Sequence, residues 1–118
     1  MDGRSLVGRT VRWRFDDGPT KGKTFEHTLR PDGRLTYGEP GHGKAHARYE
    51  LETIRPGVVA LSYLGGAGYT LTSVLDLAAG TVVAFASNER ELVVQHGRFE
   101  VEGLRVAAPR LGNRPMAR

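Results

Sequence analysis

The amino-acid sequence predicts an all-β protein, a single antiparallel up-and-down β-barrel of about eight strands over residues 1–106. Three observations predict it. Apolar and polar residues alternate with a period of two in segment after segment, Gly is frequent at 16 of 118 residues, and the connections are too short for the crossover helices of a parallel sheet. No long segment carries the 3.6-residue period of a helix.

The strands follow in order. In Thr10–Phe15, Val11, Trp13 and Phe15 share one face while Thr10, Arg12 and Arg14 share the other, as in a half-buried strand. Asp16-Asp17-Gly18-Pro19 breaks the pattern, and Thr24–Leu29 resumes it with Phe25, His27 and Leu29 on one face. Pro31-Asp32-Gly33 is a turn: Pro presets φ, Asp bonds nearby backbone and Gly accepts positive φ. It leads into Arg34–Tyr37. The stretch Gly38–Gly43 predicts an open loop at the barrel mouth.

Ala45–Ile54 is the next strand, its charged face (His46, Arg48, Glu50, Glu52) outward and Ala47, Tyr49 and Leu51 opposite. Arg55-Pro56-Gly57 turns the chain into the apolar strand Val58–Leu64, and Gly65-Gly66-Ala67-Gly68 turns it into Tyr69–Leu77. After Ala78-Ala79-Gly80, the β-branched and aromatic Thr81–Ser87 favours another strand. Asn88–Glu91 connects it to Leu92–His96, and Arg98–Val106 is read as a separate last strand. Such a meander can split into a sandwich or close, and closure alone removes both edges. Residues 107–118, patternless and basic, are expected to form a flexible tail.

Composition narrows function mainly by exclusion. The chain has no Cys, which rules out disulfides, thiolate zinc sites and cysteine nucleophiles. Neither a secretory signal nor an apolar run of membrane-spanning length is visible, so a cytoplasmic protein without membrane contact is expected. The net charge of +4 comes from basic residues spread along the chain, nearly all Arg, and no nucleic-acid motif accompanies it; a solvated surface without a nucleic-acid partner is the reading. Dimerisation through an edge or an outer sheet face is expected.

Chemistry is sought inside the barrel. Tyr37, Tyr49, Tyr63 and Tyr69 fall on or near the lumen face by alternation, and with Trp13, His27 and Phe85 they would form an aromatic wall with a few polar tips. The same composition suits a packed core, where a buried Tyr needs only one hydrogen-bond partner. His27 could bind a ligand, act as a base, or simply be a core His bonded to a neighbouring Tyr or Thr. No metal is expected, since His42 and His46 lack a third ligand. His96 is read as structural or exposed. Ser62 and Ser73 lie in no nucleophile elbow, and the Gly65–Gly68 stretch precedes a strand and is a hairpin turn. No cofactor is implied.

From Phe25 to about Gly97 the chain resembles the MoaF-like proteins, lipocalin-like barrels of the calycin group, and more distantly the phenolic acid decarboxylases. The residues that carry the resemblance are Phe25-Glu26, Pro31-Asp32-Gly33 with Leu35-Thr36-Tyr37, Tyr49-Glu50, and Ile54-Arg55-Pro56-Gly57-Val58. Leu61-Ser62-Tyr63-Leu64, Tyr69-Thr70-Leu71-Thr72 and Leu75-Asp76-Leu77 with Gly80 extend it. The resemblance implies a central pocket. It does not imply decarboxylation: Gly38 follows Tyr37 where the decarboxylases place an Arg, and Ser62-Tyr63-Leu64-Gly65 lacks their Glu. The expectation is a small-molecule-binding barrel for an aromatic or largely apolar ligand, with a cofactor-independent isomerase, cyclase or lyase as the alternative. A filled barrel acting through its outer face is the third reading.

Overall fold

The computed structural model describes residues 3–102. Eight strands, β1 (Thr10–Phe15), β2 (Thr24–Leu29), β3 (Arg34–Gly38), β4 (Ala45–Arg55), β5 (Val58–Leu64), β6 (Thr70–Asp76), β7 (Thr81–Ser87) and β8 (Leu92–Val101), pair antiparallel in sequence order. β8 then pairs with β1, from Val11↔Val101 to Phe15↔Gly97, and closes the barrel. The strand alternation therefore sorts side chains into lumen and outer wall, which is why period two was informative. The expected tail over 107–118 and the end of the expected last strand, 103–106, lie outside the described residues.

One expectation is corrected by the closure. The chain does not break at Gly97: β8 runs continuously through it. A Cβ on Gly97 would lie 2.1 Å from the Arg14 carbonyl oxygen, so glycine is what lets β1 and β8 approach at the seam. In the sequence Gly97 has the look of a breaker; in the barrel its lack of a side chain permits closure.

The lower end, where the β2–β3, β4–β5 and β6–β7 turns lie, is sealed. The Pro31-Asp32-Gly33 turn forms as its residues dictate: Gly33 has φ 85° and Asp32 Oδ1 accepts the Arg34 N–H at 3.0 Å. A short 3-10 turn at Gly3–Leu6, absent from the sequence reading, lies across this end with Leu6 fully buried. Gly3 N donates to Thr53 Oγ1 at 2.9 Å, and the Gly8 N–H donates to the Leu29 carbonyl at 2.6 Å. Above the plug, Val11, Leu29, Leu35, Val59, Leu61, Leu75 and Val82 fill the lumen without solvent exposure beyond 1%.

On the outer wall Arg12 bridges three carboxylates, Glu26 at 2.8 Å, Glu100 at 3.3 Å and Glu102 at 3.5 Å, while Lys44 reaches Glu26 at 3.4 Å. The pairs straddle the β8–β1–β2 seam. Their value lies in register more than in energy, since exposed pairs contribute about 1 kcal/mol or less. Among the described residues no helix is long and apolar enough to cross a membrane.

Candidate functional site

The upper half of the lumen is hollow. A cavity of about 520 Å³ opens there, and its shape follows from an imbalance of side-chain size around the barrel. β1, β2, β3 and β5 contribute Trp13, Phe15, Phe25, His27, Tyr37 and Tyr63; across from them β6 and β7 contribute Ser73, Ala84 and Ala86. Ser73 and Ala84 are register partners, so two small residues meet there, and Ala86, paired with Leu71, adds a third small position facing the aromatic wall.

His27 is the polar centre of the wall. It is 2% exposed, its ring stacks on Trp13 with centroids 3.9 Å apart, and its Nε2 lies 2.7 Å from the Tyr63 hydroxyl. Its Nδ1 is buried with no hydrogen-bond partner. Burial lowers the His27 pKa to about 3, so the ring is neutral, and burial also pushes the Tyr63 phenol up. Tyr37 packs on Tyr63 with ring centroids 4.8 Å apart, and its hydroxyl accepts the Gly66 N–H at 2.9 Å.

The rim is tied by side chains to its neighbours. The β1–β2 loop docks on β8: Gln95 Nε2 donates to the Asp17 carbonyl at 2.8 Å, Thr20 Oγ1 donates to Gln95 Oε1 at 3.0 Å, and Asp17 Oδ2 meets His96 Nδ1 at 2.9 Å. The backbone N–H of His96 and its ring both bond Asp17 and hold that carboxyl below its ordinary pKa. This places Pro19 and Thr20 on the cavity edge. Opposite, the Tyr69 hydroxyl donates to Glu91, linking the β5–β6 and β7–β8 loops and raising the Tyr69 pKa.

No family model matches the chain, and no curated protein matches it. A solved structure shares the fold. It is a crystal structure from Burkholderia vietnamiensis described as a "putative beta-lactamase", with a TM-score of 0.67 and 20% identity over 81% of this chain and 94% of that one. At that identity the likeness is one of fold.

Of the residues expected at the site, the cavity brings together Trp13, His27, Tyr37, Tyr63 and Tyr69. Tyr49 is not among them. It shares the inward face, but its hydroxyl donates to the Arg30 carbonyl at 2.8 Å, so its ring runs toward the sealed end. Phe85 borders the cavity, yet it pairs with Thr72 and Val94 on the outer wall and is 40% exposed; alternation from Val82 and Ala84 puts its side chain outside. Phe85, expected in the aromatic wall, is placed by its register on the outer face. The Gly38–Gly43 loop lies at the mouth end but does not line the cavity. His96 is an exposed rim tether. Ser62 bonds Thr72 at 2.8 Å, across the outer wall. Among the described residues no group of three or more His, Asp or Glu side chains could hold a metal ion.

Phe15 and Phe25 share the apolar faces of Trp13 and His27 but are not among the expected site residues, and neither are Ser73, Ala84 and Gln95. The signal for a hollow is the set of small inward positions Ser73, Ala84 and Ala86, which reads as ordinary strand composition until the register is known.

Proposed function

We propose that this protein is a small-molecule-binding barrel that holds an aromatic or largely apolar ligand in the upper lumen, and we place it with the MoaF-like barrels on the strand and turn residues named above. The observation that carries the reading is the hollow itself: about 520 Å³ of aromatic-walled space above a tightly filled lower lumen. Sites of this size and composition suit drug-sized or smaller ligands, with a few polar groups setting orientation.

The chemistry of the polar centre favours binding over turnover. A general base works best with a pKa near the working pH, and burial takes His27 down to about 3 while it raises Tyr63. Both stay neutral across the physiological range and serve as fixed hydrogen-bonding groups. The description of the Burkholderia structure is not extended to this chain, because Ser62 is bonded on the outer wall and His27 is bonded to a tyrosine rather than to a serine.

The test is thermal stability with and without planar aromatic compounds, repeated on Ala84→Leu. A ligand at a hundred times its Kd stabilises by about 2.7 kcal/mol, which raises the Tm by several degrees in a protein of this size. The expected result is such a rise in the wild type and a smaller one in Ala84→Leu, whose longer side chain projects into the hollow. No stabilisation by any compound, or an undiminished rise in the variant, overturns the proposal.

A further inference from the structure

We infer that the cavity is built to hold a neutral ligand by a hydrogen-bond acceptor, such as an aromatic ketone, aldehyde or ester, with its carbonyl oxygen set between the hydroxyls of Tyr37 and Tyr63. The inference rests on the ligand-binding reading above and specifies its chemistry.

The argument counts protons. The Tyr37 oxygen accepts from the Gly66 backbone N–H, which can only donate, so the Tyr37 proton is left to point elsewhere. Tyr63 depends on the tautomer of His27, because its oxygen lies 2.7 Å from Nε2 and either atom could donate. The orphaned Nδ1 decides between the two. If Tyr63 donated to Nε2, the ring proton would reside on Nδ1 as a buried N–H with no acceptor, an arrangement folded proteins almost never keep. With the proton on Nε2, the orphan is a bare lone pair, and Nε2–H donates to the Tyr63 oxygen. The Tyr63 proton is then free as well.

Of the other polar side chains on the lining, Ser73 carries its own hydroxyl on β6, and those at the rim are committed. Tyr69 donates to Glu91, Thr20 to Gln95, and Gln95 to the Asp17 carbonyl. Two adjacent phenols, with ring centroids 4.8 Å apart, therefore present donors on one side of an apolar hollow. Carbonyl oxygen has two lone pairs and matches such a pair. Charge selects further: among the described residues the acidic or basic side chain on the lining is Glu91, so a carboxylate ligand would be buried beside a like charge and without a cation.

The experiment compares four ligands of one size, 2-acetonaphthone, 2-ethylnaphthalene, 2-naphthol and 2-naphthoate, by titration of the fluorescence of Trp13, the chain's single Trp and part of the cavity wall. Two added hydrogen bonds predict that the ketone binds about tenfold or more tighter than the hydrocarbon. Naphthoate is expected to be the weakest. Tyr37→Phe, which forfeits the Gly66 contact and one of the two proposed donors, should cut the ketone-to-hydrocarbon ratio several-fold. Nitrogen-15 chemical shifts of His27 should show the proton on Nε2.

A ketone no tighter than the hydrocarbon, tightest binding by naphthol or naphthoate, a ratio untouched by Tyr37→Phe, or a proton on Nδ1 would each overturn this inference while hydrocarbon binding kept the cavity reading intact. Failure of all four to bind overturns both.

Discussion

The two halves of the lumen are made by the same alternation on the same strands and end in opposite states. Below, Leu29, Leu35, Leu61 and Leu75 pack above the Leu6 plug and leave nothing to solvent. Above, larger side chains on β1–β3 and β5 face Ser73, Ala84 and Ala86, and a hollow remains. What separates a core from a pocket is the pairing of sizes across the barrel, a property of the closed register and not of any one strand.

The sharpest way to test this division is to hollow out the sealed half. Leu75→Ala removes a fully buried side chain from close packing and should cost about 3 kcal/mol, within the 2–5 kcal/mol typical of buried Leu truncations, read by urea denaturation. Ligand affinity should be unchanged, since the binding space lies above. A loss of affinity comparable to the loss of stability would mean that the halves act as one unit.

The next effect comes from the boundary between them, where His27 is buried neutral. The unfolded chain takes up a proton near the ordinary His pKa of about 6.5, whereas folded His27 does so only at about 3. Folding stability from this group is thus fully present above 6.5 and falls as pH drops from 6.5 toward 3, by as much as about 1.4 kcal/mol per pH unit. Carboxylates such as Glu26, held down chiefly by its bond to Arg12, add acid sensitivity of their own at lower pH. His27→Gln isolates the His27 share: between pH 6.5 and 5 its stability should decline less steeply than that of the wild type. Parallel curves would mean that His27 is solvated or charged in the folded protein.

Filling the upper half reverses the first experiment. Ala84→Leu adds carbon to empty space rather than removing it from packed space, so its stability should change by about 1 kcal/mol or less while aromatic ligands bind more weakly. A large destabilisation would show the hollow to be smaller, or stiffer, than its volume suggests.

Much of this was legible in the chain. Period two, turn residues such as Pro31-Asp32-Gly33, and short links together predict the meander, and β2, β5 and β7 have the expected ends. The aromatic wall was legible through alternation, because Trp13, His27, Tyr37 and Tyr63 each lie on the apolar face of a clean strand. Illegible were the features that depend on neighbours. Gly97 looks like a breaker until β1 is brought against it. Phe85 looks like lumen until Thr72 and Val94 are its partners. Small inward residues in β6 and β7 carry no meaning alone.

Tyr49 offers the finest test of the division, because its register partner on β5 is Tyr63. Two tyrosines stand side by side on one inward-facing ladder, and their hydroxyls part company: Tyr63 meets His27 at the polar centre, whereas Tyr49 donates to the Arg30 carbonyl beside the lower turn. Tyr49→Phe deletes one partly exposed hydrogen bond and should cost about 1 kcal/mol or less, with ligand affinity unaltered. Tyr63→Phe should weaken carbonyl ligands several-fold. If instead Tyr49→Phe weakened binding and Tyr63→Phe did not, the polar centre would have to be placed at the other tyrosine, and the boundary between packed and hollow lumen would move down the barrel with it.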